Sequence, residues 1–116
     1  MSNNNSFPKQ NDNEIKELNY ENFNEIIKNN ETILVDFWAP WCGPCQTMLP
    51  IFSKMSKYYS DKIIFGRLNI DNHPQIASEY EVYSIPMFIL FKKGQPTKGL
   101  IGAVTEKRLK QMLEER

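Results

Sequence analysis

The residues best suited to chemistry in this chain are two cysteines three positions apart, Cys42 and Cys45. They lie where an apolar stretch typical of a buried strand gives way to a helical pattern. Cysteines at this spacing can form a disulfide with each other and open it again, because residues three apart on a helix are neighbours. Reversible dithiol chemistry is therefore the first hypothesis that the sequence suggests.

The glycine and proline between the cysteines favour a tight helix start. A disulfide needs Cβ atoms ~3.8 Å apart, closer than the ~5–6 Å usual for this spacing in a helix. Gly43 permits unusual backbone angles, and Pro44 is preset for a first helical turn. Cys42 then lies at the helix N-terminus, where free backbone N–H groups favour a thiolate by ~0.3–1 kcal/mol, and Cys45 lies one turn further in. This asymmetry predicts Cys42 as the attacking nucleophile and Cys45 as the resolving thiol.

A fixed structural disulfide and half of a zinc site are the alternative uses of such a pair. Structural disulfides are rare in reducing compartments. Zinc needs four ligands, and the sequence adds a single histidine, His73, to the two cysteines. No metal site is expected.

Composition excludes several classes of function. The 116 residues are enough for one domain with a hydrophobic core. The 14 basic and 14 acidic side chains balance, which argues against binding to nucleic acid or to an anionic membrane. The apolar runs are far shorter than the ~20 residues that span a bilayer.

The N-terminal residues differ from the rest of the chain. We predict that residues 1–13 form a disordered polar arm and that residues 14–116 form the domain. The arm has neither the apolar stretch of a signal peptide nor the arginines of a transit peptide, so we expect a cytoplasmic location.

Strand and helix patterns alternate along the domain. Residues 33–38 are apolar at both parities, as in a strand buried on both faces. A helix is predicted from residue 44 to about 59, with an apolar stripe that includes Met48 and Phe52 and a bend at Pro50. Other strands are predicted near 15–18, 63–70, 87–91 and 98–101, and other helices after Asn19, after Asp71 or Asn72, and after Thr105. This order predicts a mixed α/β sheet with helices on both sides.

The segment Trp38-Ala39-Pro40-Trp41-Cys42-Gly43-Pro44-Cys45, after Val35-Asp36-Phe37, closely resembles the active site of the thioredoxin family. Further segments of the chain resemble other landmarks of the family in the expected order, namely Leu68-Asn69-Ile70-Asp71, Ser84-Ile85-Pro86, Lys93-Gly94 and Ile101-Gly102-Ala103. The resemblance implies a central five-stranded mixed β-sheet flanked by four α-helices. It also implies a protein-disulfide reductase that binds no cofactor and receives electrons from NADPH through a thioredoxin reductase. We expect a monomer whose partners are this reductase and disulfide-containing proteins.

Asp36 lies in the middle of an apolar strand. Burial there raises the pKa of a carboxyl group unless it is paired, and the sequence leaves open whether local hydrogen bonds satisfy it. The resemblance implies that Asp36 lies beneath the cysteines and assists proton transfer with the resolving thiol. Arg67 stands where the family often has lysine, so it either reaches Asp36 and lowers that pKa or extends to the surface.

The resemblance also implies a substrate-binding surface. It implies a cis bond between Ile85 and Pro86 facing the disulfide, although the base rate for X–Pro bonds favours trans. The backbone of Ile85 would pair with an extended substrate, and Trp41 would cover the rim. Met87 replaces a threonine common in the family, which predicts a more apolar rim. Gly102 either admits a substrate backbone closely or simply ends a strand in a turn.

Two alternatives to a reductase use the same fold. One is a redox-independent binding subunit or holdase, which would need neither thiol, so the intact cysteine pair favours the reductase. The other is an oxidase or isomerase, but Gly43 and Pro44 resemble the reducing branch of the family, since oxidants and isomerases usually have a histidine in the second middle position.

Overall fold

A computed structural model of the protein describes residues 15–115, in which strands alternate with helices. The strands are β1 (Lys16–Glu17), β2 (Thr32–Trp38), β3 (Ile64–Asn69), β4 (Met87–Lys92) and β5 (Gln95–Ile101). The helices are α1 (Phe23–Asn29), α2 (Gly43–Tyr58), α3 (Pro74–Glu79) and α4 (Glu106–Glu114). This part of the chain therefore contains the predicted five strands and four helices. The predicted arm, residues 1–13, lies outside the described residues.

The sheet has the order β1-β3-β2-β4-β5, with β2 at its centre. β2 is parallel to β3 and antiparallel to β4, and β5 is antiparallel to β4, so the sheet is mixed as predicted. Every residue of β2 from Thr32 to Phe37 is buried. The carboxyl end of β2 leads directly into the cysteine turn, which places the two cysteines at the edge of the sheet where β4 begins.

Alternate residues of β2 contribute to two separate cores, because successive side chains of a strand point to opposite faces. Ile33, Val35 and Phe37 pack with residues of α1 and α3. Leu34 packs on the other face with the inward residues of α2 and α4, which are Met48, Phe52, Met55, Leu109, Met112 and Leu113. Asp36 shares the parity of Leu34, so its side chain lies on the face that α2 covers.

Helix α2 carries the apolar stripe that the sequence predicts. Met48, Phe52 and Met55 are buried, and Tyr59 lies just beyond the last turn as the C-cap residue. The helix continues through Pro50 without interruption from Gly43 to Tyr58. A single element therefore joins the cysteine turn to the core.

Two helix starts differ from the prediction. The Asn19 side chain does not cap α1; its Oδ1 accepts hydrogen bonds from the N–H groups of Glu21 and Asn22 in a preceding turn, and the helix starts at Phe23. α3 is preceded by His73 rather than by Asp71 or Asn72, and no side chain within residues 15–115 caps it with a hydrogen bond. A local turn satisfies the Asn19 side chain, whereas the Asp71 carboxylate accepts hydrogen bonds from Trp41, 30 positions away in sequence.

The end of the chain follows the prediction more closely. Lys93 and Gly94, with φ of 52° and 84°, make a two-residue hairpin turn, so β5 starts at Gln95, earlier than predicted. Thr105 caps α4 as predicted, since its side-chain oxygen accepts a 3.0 Å hydrogen bond from the N–H of Arg108.

Candidate active site

Cys42 and Cys45 are joined by a disulfide at the N-terminus of α2, with their Cα atoms 5.3 Å apart. Cys42 is the N-cap residue, in an extended conformation with φ −89° and ψ 107°, and Cys45 lies in the first turn. Pro44 occupies the start of the helix, where its missing N–H would have no helical partner. The geometry therefore permits the reversible bond that the spacing suggests.

The two cysteines differ in their surroundings. Cys42 Sγ accepts a 3.2 Å hydrogen bond from the backbone N–H of Cys45. Cys42 is 4% exposed and Cys45 is 0% exposed, so Cys42 is the residue that keeps some contact with solvent. Among residues 15–115, an added Cβ at Gly43 would meet no atom within 4 Å, so this part of the structure leaves the surface beside the disulfide open.

Trp41, which precedes the cysteine pair, is 69% exposed. Its indole Nε1 donates to both carboxylate oxygens of Asp71, at 3.2 and 3.1 Å. Asp71 follows β3 and is 30 positions away in sequence. The sequence suggested it as a helix cap and as part of a family landmark, but not as a partner of Trp41. The structure thus adds Asp71 to the site as the residue that orients Trp41.

We predict that Asp71→Ala increases the mobility of Trp41 with little effect on fold stability. The indole loses its acceptor, a bond that contributes about 1 kcal/mol at most in an exposed place. Exchange of the Trp41 indole N–H with deuterium, followed by NMR, should therefore become about fivefold faster. Asp71→Asn, which retains an acceptor oxygen, is the matched control. Equal exchange rates in Asp71→Ala and in the unaltered protein would show that this contact does not hold the ring.

Asp36 is fully buried, and Arg67 lies beside it on the neighbouring strand. Arg67 Nε donates a 3.3 Å hydrogen bond to Asp36 Oδ2. The sequence left two orientations open for Arg67, and in the structure its side chain reaches Asp36 and does not extend to the surface. Burial nevertheless raises the pKa of Asp36 from 3.8 to about 6, and the charge and hydrogen bond of Arg67 only partly oppose this. The expectation that Arg67 holds the pKa down is thus met in direction but outweighed by the loss of solvation.

Ile85 and Pro86 lie at the start of β4, opposite the carboxyl end of β2, and the bond between them is cis. The carbonyl oxygen of Pro86 accepts a 2.7 Å hydrogen bond from the N–H of Gly102. Gly102 has φ 89°, which favours glycine, and an added Cβ there would meet no atom of the described residues within 4 Å. Gly102 therefore meets a backbone requirement of the turn and also leaves open space beside Pro86.

Two exposed apolar side chains near this edge were not predicted from the sequence. Tyr83 is 82% exposed and Ile101 is 63% exposed. Ile101 pairs in register with Met87, which is partly buried beside it. Exposure depends on which neighbours cover a residue, so no local pattern could have identified these side chains.

Neither a metal site nor a membrane span is found in residues 15–115. These residues contain no group of three histidine, cysteine, aspartate or glutamate side chains placed to hold a metal ion. No helix among them combines the length and the apolar character needed to cross a bilayer.

The family model described as thioredoxin matches residues 14–115 of the chain. The chain belongs to the thioredoxin family. The thioredoxin of Buchnera aphidicola is 43% identical over 104 residues, which cover 89% of this chain and 96% of that protein. The chloroplastic M-type thioredoxin of Spinacia oleracea is 39% identical over 102 residues, covering 87% of this chain and 56% of that protein.

Solved structures of thioredoxin systems have the same fold. One concerns the thiol resolving mechanism of a yeast mitochondrial 1-Cys peroxiredoxin via glutathione and thioredoxin systems. A chain of that structure is 36% identical to this chain and superimposes with a TM-score of 0.81, covering 88% of this chain and 95% of that chain. Together with the disulfide, membership of the family makes this protein a thiol–disulfide oxidoreductase that reduces protein disulfides. No feature of the described part of the chain favours the redox-independent alternative.

Proposed function

We propose that this protein is a general donor of electrons to protein disulfides, in which Cys42 attacks and Cys45 resolves. The observation that supports this assignment most directly is the hydrogen bond from the Cys45 N–H to Cys42 Sγ at the N-terminus of α2. In the dithiol form, the same N–H and the helix dipole would stabilise negative charge on Cys42. Cys45 has no such position and lies deeper.

The proposed reaction has two exchange steps. The Cys42 thiolate attacks one sulfur of a substrate disulfide, which forms a mixed disulfide and releases the first substrate thiolate. Cys45 then loses its proton and attacks Cys42 Sγ, which releases the second substrate thiolate and leaves the Cys42–Cys45 disulfide. The substrate gains two electrons and the protein loses two, so no further oxidant or reductant takes part.

Asp36 is the proposed proton acceptor for Cys45. Its side chain lies on the face of the sheet that α2 covers, the helix whose first turn holds Cys45. A pKa of about 6 leaves the carboxyl group largely ionised at neutral pH yet basic enough to take a proton.

The proposed substrate surface surrounds Cys42 and consists of Trp41, Ile85, Pro86 and Gly102. The open space at Gly102 and the exposure of Trp41 support it, since a substrate backbone must approach Cys42 closely. Disulfide-containing proteins are the proposed partners. The yeast structure, whose title joins a peroxiredoxin to thioredoxin systems, supports this class of substrate.

Regeneration of the dithiol is proposed to use NADPH through a thioredoxin reductase, with the protein acting as a cytoplasmic monomer that holds no cofactor. The match of the family model to nearly the whole chain supports this cycle. The zero net charge agrees with transient encounters with many different proteins rather than with electrostatic selection of one.

Reduction of insulin disulfides tests this function. With NADPH and a thioredoxin reductase, or with dithiothreitol, the unaltered protein should accelerate the reaction, whereas Cys42→Ser should fall to background. Lys57→Ala, an exposed change on the same helix, is the control and should keep full activity. Absence of turnover by the unaltered protein with dithiothreitol and with several reductases would contradict the proposal.

A further inference from the structure

Arg67 makes only a one-point contact with Asp36. Its Nε donates to Asp36 Oδ2 at 3.3 Å, while its Nη2 is buried and has no hydrogen-bond partner among residues 15–115. Arginine frequently binds a carboxylate through two parallel N–H groups, one to each oxygen. In this protein the buried guanidinium group does not make the second of these bonds to Asp36.

Trp38 explains why the guanidinium group is held in this way. The guanidinium carbon of Arg67 lies 4.0 Å from the centroid of the Trp38 ring, within range of a cation–π interaction. Trp38 lies on β2, two positions after Asp36, so both side chains are on the same face of the sheet. Stacking on the indole fixes the position of the guanidinium group relative to the carboxylate.

The two oxygens of Asp36 consequently differ. Oδ2 accepts from Arg67, whereas Oδ1 is buried and has no hydrogen-bond partner in the described part of the chain. An unpaired buried carboxylate oxygen costs free energy, so its presence in a fold calls for an explanation such as a catalytic role. A proton cannot rest on an oxygen that already accepts from a cation as readily as on one that is free.

We propose that Trp38 and Arg67 are positioning residues for the proton transfer, and that their stack reserves Oδ1 of Asp36 as the atom that exchanges a proton with Cys45. The inference rests on the proposed role of Asp36. As the Cys45 sulfur attacks Cys42 Sγ, its proton passes to Oδ1, the sulfur–sulfur bond forms, and the bond from Cys42 to the substrate breaks. A two-point contact by Arg67 would occupy both oxygens and favour the charged carboxylate more strongly.

Few titratable groups face Asp36 from the elements packed against it, within residues 15–115. Arg67 is its partner on β3, and the apolar Phe88 is its partner on β4. Helix α2 contributes Cys45 and its apolar stripe, followed by Tyr59, which pairs with Glu114 away from the cysteine end. The buried residues of α4 on this face are apolar. The pH dependence of Asp36 should therefore respond mainly to Arg67.

Trp38→Leu and Arg67→Met test the inference because they should act in opposite directions. Without the stack, the guanidinium group is free to bind both oxygens, so the pKa of Asp36 should fall by about one unit. Without the charge, in Arg67→Met, it should rise by about one unit. In the double variant, removal of the ring should add nothing to Arg67→Met, because Trp38 acts through Arg67.

Two measurements on these variants test the inference, the pKa of Asp36 and the pH profile of the resolution step. NMR titration of the Asp36 carboxyl carbon gives its pKa directly, and release of the second substrate thiol from a preformed mixed disulfide at Cys42 gives the pH profile of resolution. Resolution at pH 7.5 should slow severalfold in Trp38→Leu, and Trp38→Phe, which keeps an aromatic face, should restore most of the rate. Phe65→Leu is the control, since it shortens a buried aromatic on the same face and leaves the stack intact.

The outcomes separate this inference from the function it rests on. Shifts of the same sign in Trp38→Leu and Arg67→Met, or no shift in either, would overturn the positioning role while leaving Asp36 as the proton acceptor. If Asp36→Asn leaves the pH profile of resolution unchanged, the proton role of Asp36 fails, and the positioning inference fails with it. Loss of that pH dependence in Asp36→Asn, together with opposite shifts in the other two variants, would support both.

Discussion

Cys45→Ser is expected to turn a transient mixed disulfide into a trapped one. Cys42 remains at the N-terminus of α2 and attacks the substrate, but no second thiol can release it. A substrate disulfide should therefore accumulate as one covalent adduct per protein molecule, and multiple turnover should be lost. The adduct is measured by non-reducing electrophoresis and by mass spectrometry, and dithiothreitol should dissolve it.

Cys42→Ser is the matched control, because it makes the same sulfur-to-oxygen replacement in the other cysteine of the disulfide. It should form no adduct, since Cys45 is fully buried and the hydrogen bond at the helix N-terminus is accepted by Cys42 Sγ. The double variant gives the background. Equal trapping by the two single variants would contradict the assignment of nucleophile and resolving thiol, although the protein would remain a thiol–disulfide oxidoreductase.

Asp36→Asn is expected to make the protein more stable at pH 8 and to have little effect below pH 4. The pKa of Asp36 is raised from 3.8 to about 6 in the folded protein, so the folded state binds the proton more tightly than the unfolded state. Stability then falls as pH rises from 3.8 through about 6 and stays lower above it. A difference of about two pKa units corresponds to about 3 kcal/mol.

The gain from removing the carboxylate should be smaller than this figure, because Asp36→Asn leaves Arg67 without its anionic partner. We expect an increase of about 2 kcal/mol in the free energy of unfolding at pH 8, or roughly 10 °C in Tm. Denaturant unfolding of the oxidised protein at pH 4 and pH 8 measures it. Asp61→Asn, at an exposed aspartate, should change stability by less than about 0.5 kcal/mol at either pH. A similar gain at both pH values would show that packing rather than charge is responsible.

The strands and helices of this fold can be predicted from local patterns, because the spacing of apolar residues shows whether a strand is buried on both faces or a helix on one stripe. The continuous apolar run of β2 predicts a central strand, and the Met48 and Phe52 stripe predicts the inward face of α2. Helix starts were less predictable. Asn19 is a good cap by propensity, yet its side chain is satisfied in the preceding turn, and α1 starts at the buried Phe23.

Contacts between side chains that are distant in sequence could not be predicted from local patterns. Asp71 orients Trp41 across 30 positions, and Arg67 reaches Asp36 across 31. Such contacts depend on strand register, which places Arg67 directly beside Asp36 in the parallel pair of β2 and β3. The sequence left open whether this arginine turns inward or outward.

The sequence by itself determined the type of chemistry, since two cysteines around Gly43-Pro44 at a strand-to-helix junction favour reversible disulfide exchange and the surrounding segments resemble the thioredoxin family. Only the tertiary structure decided how acidic Asp36 is and which of its oxygens has no hydrogen-bond partner in the described part of the chain. The physical reason is that the cost of desolvation and the reach of Arg67 depend on every element that surrounds the carboxylate, whereas the spacing of the cysteines depends on four residues alone.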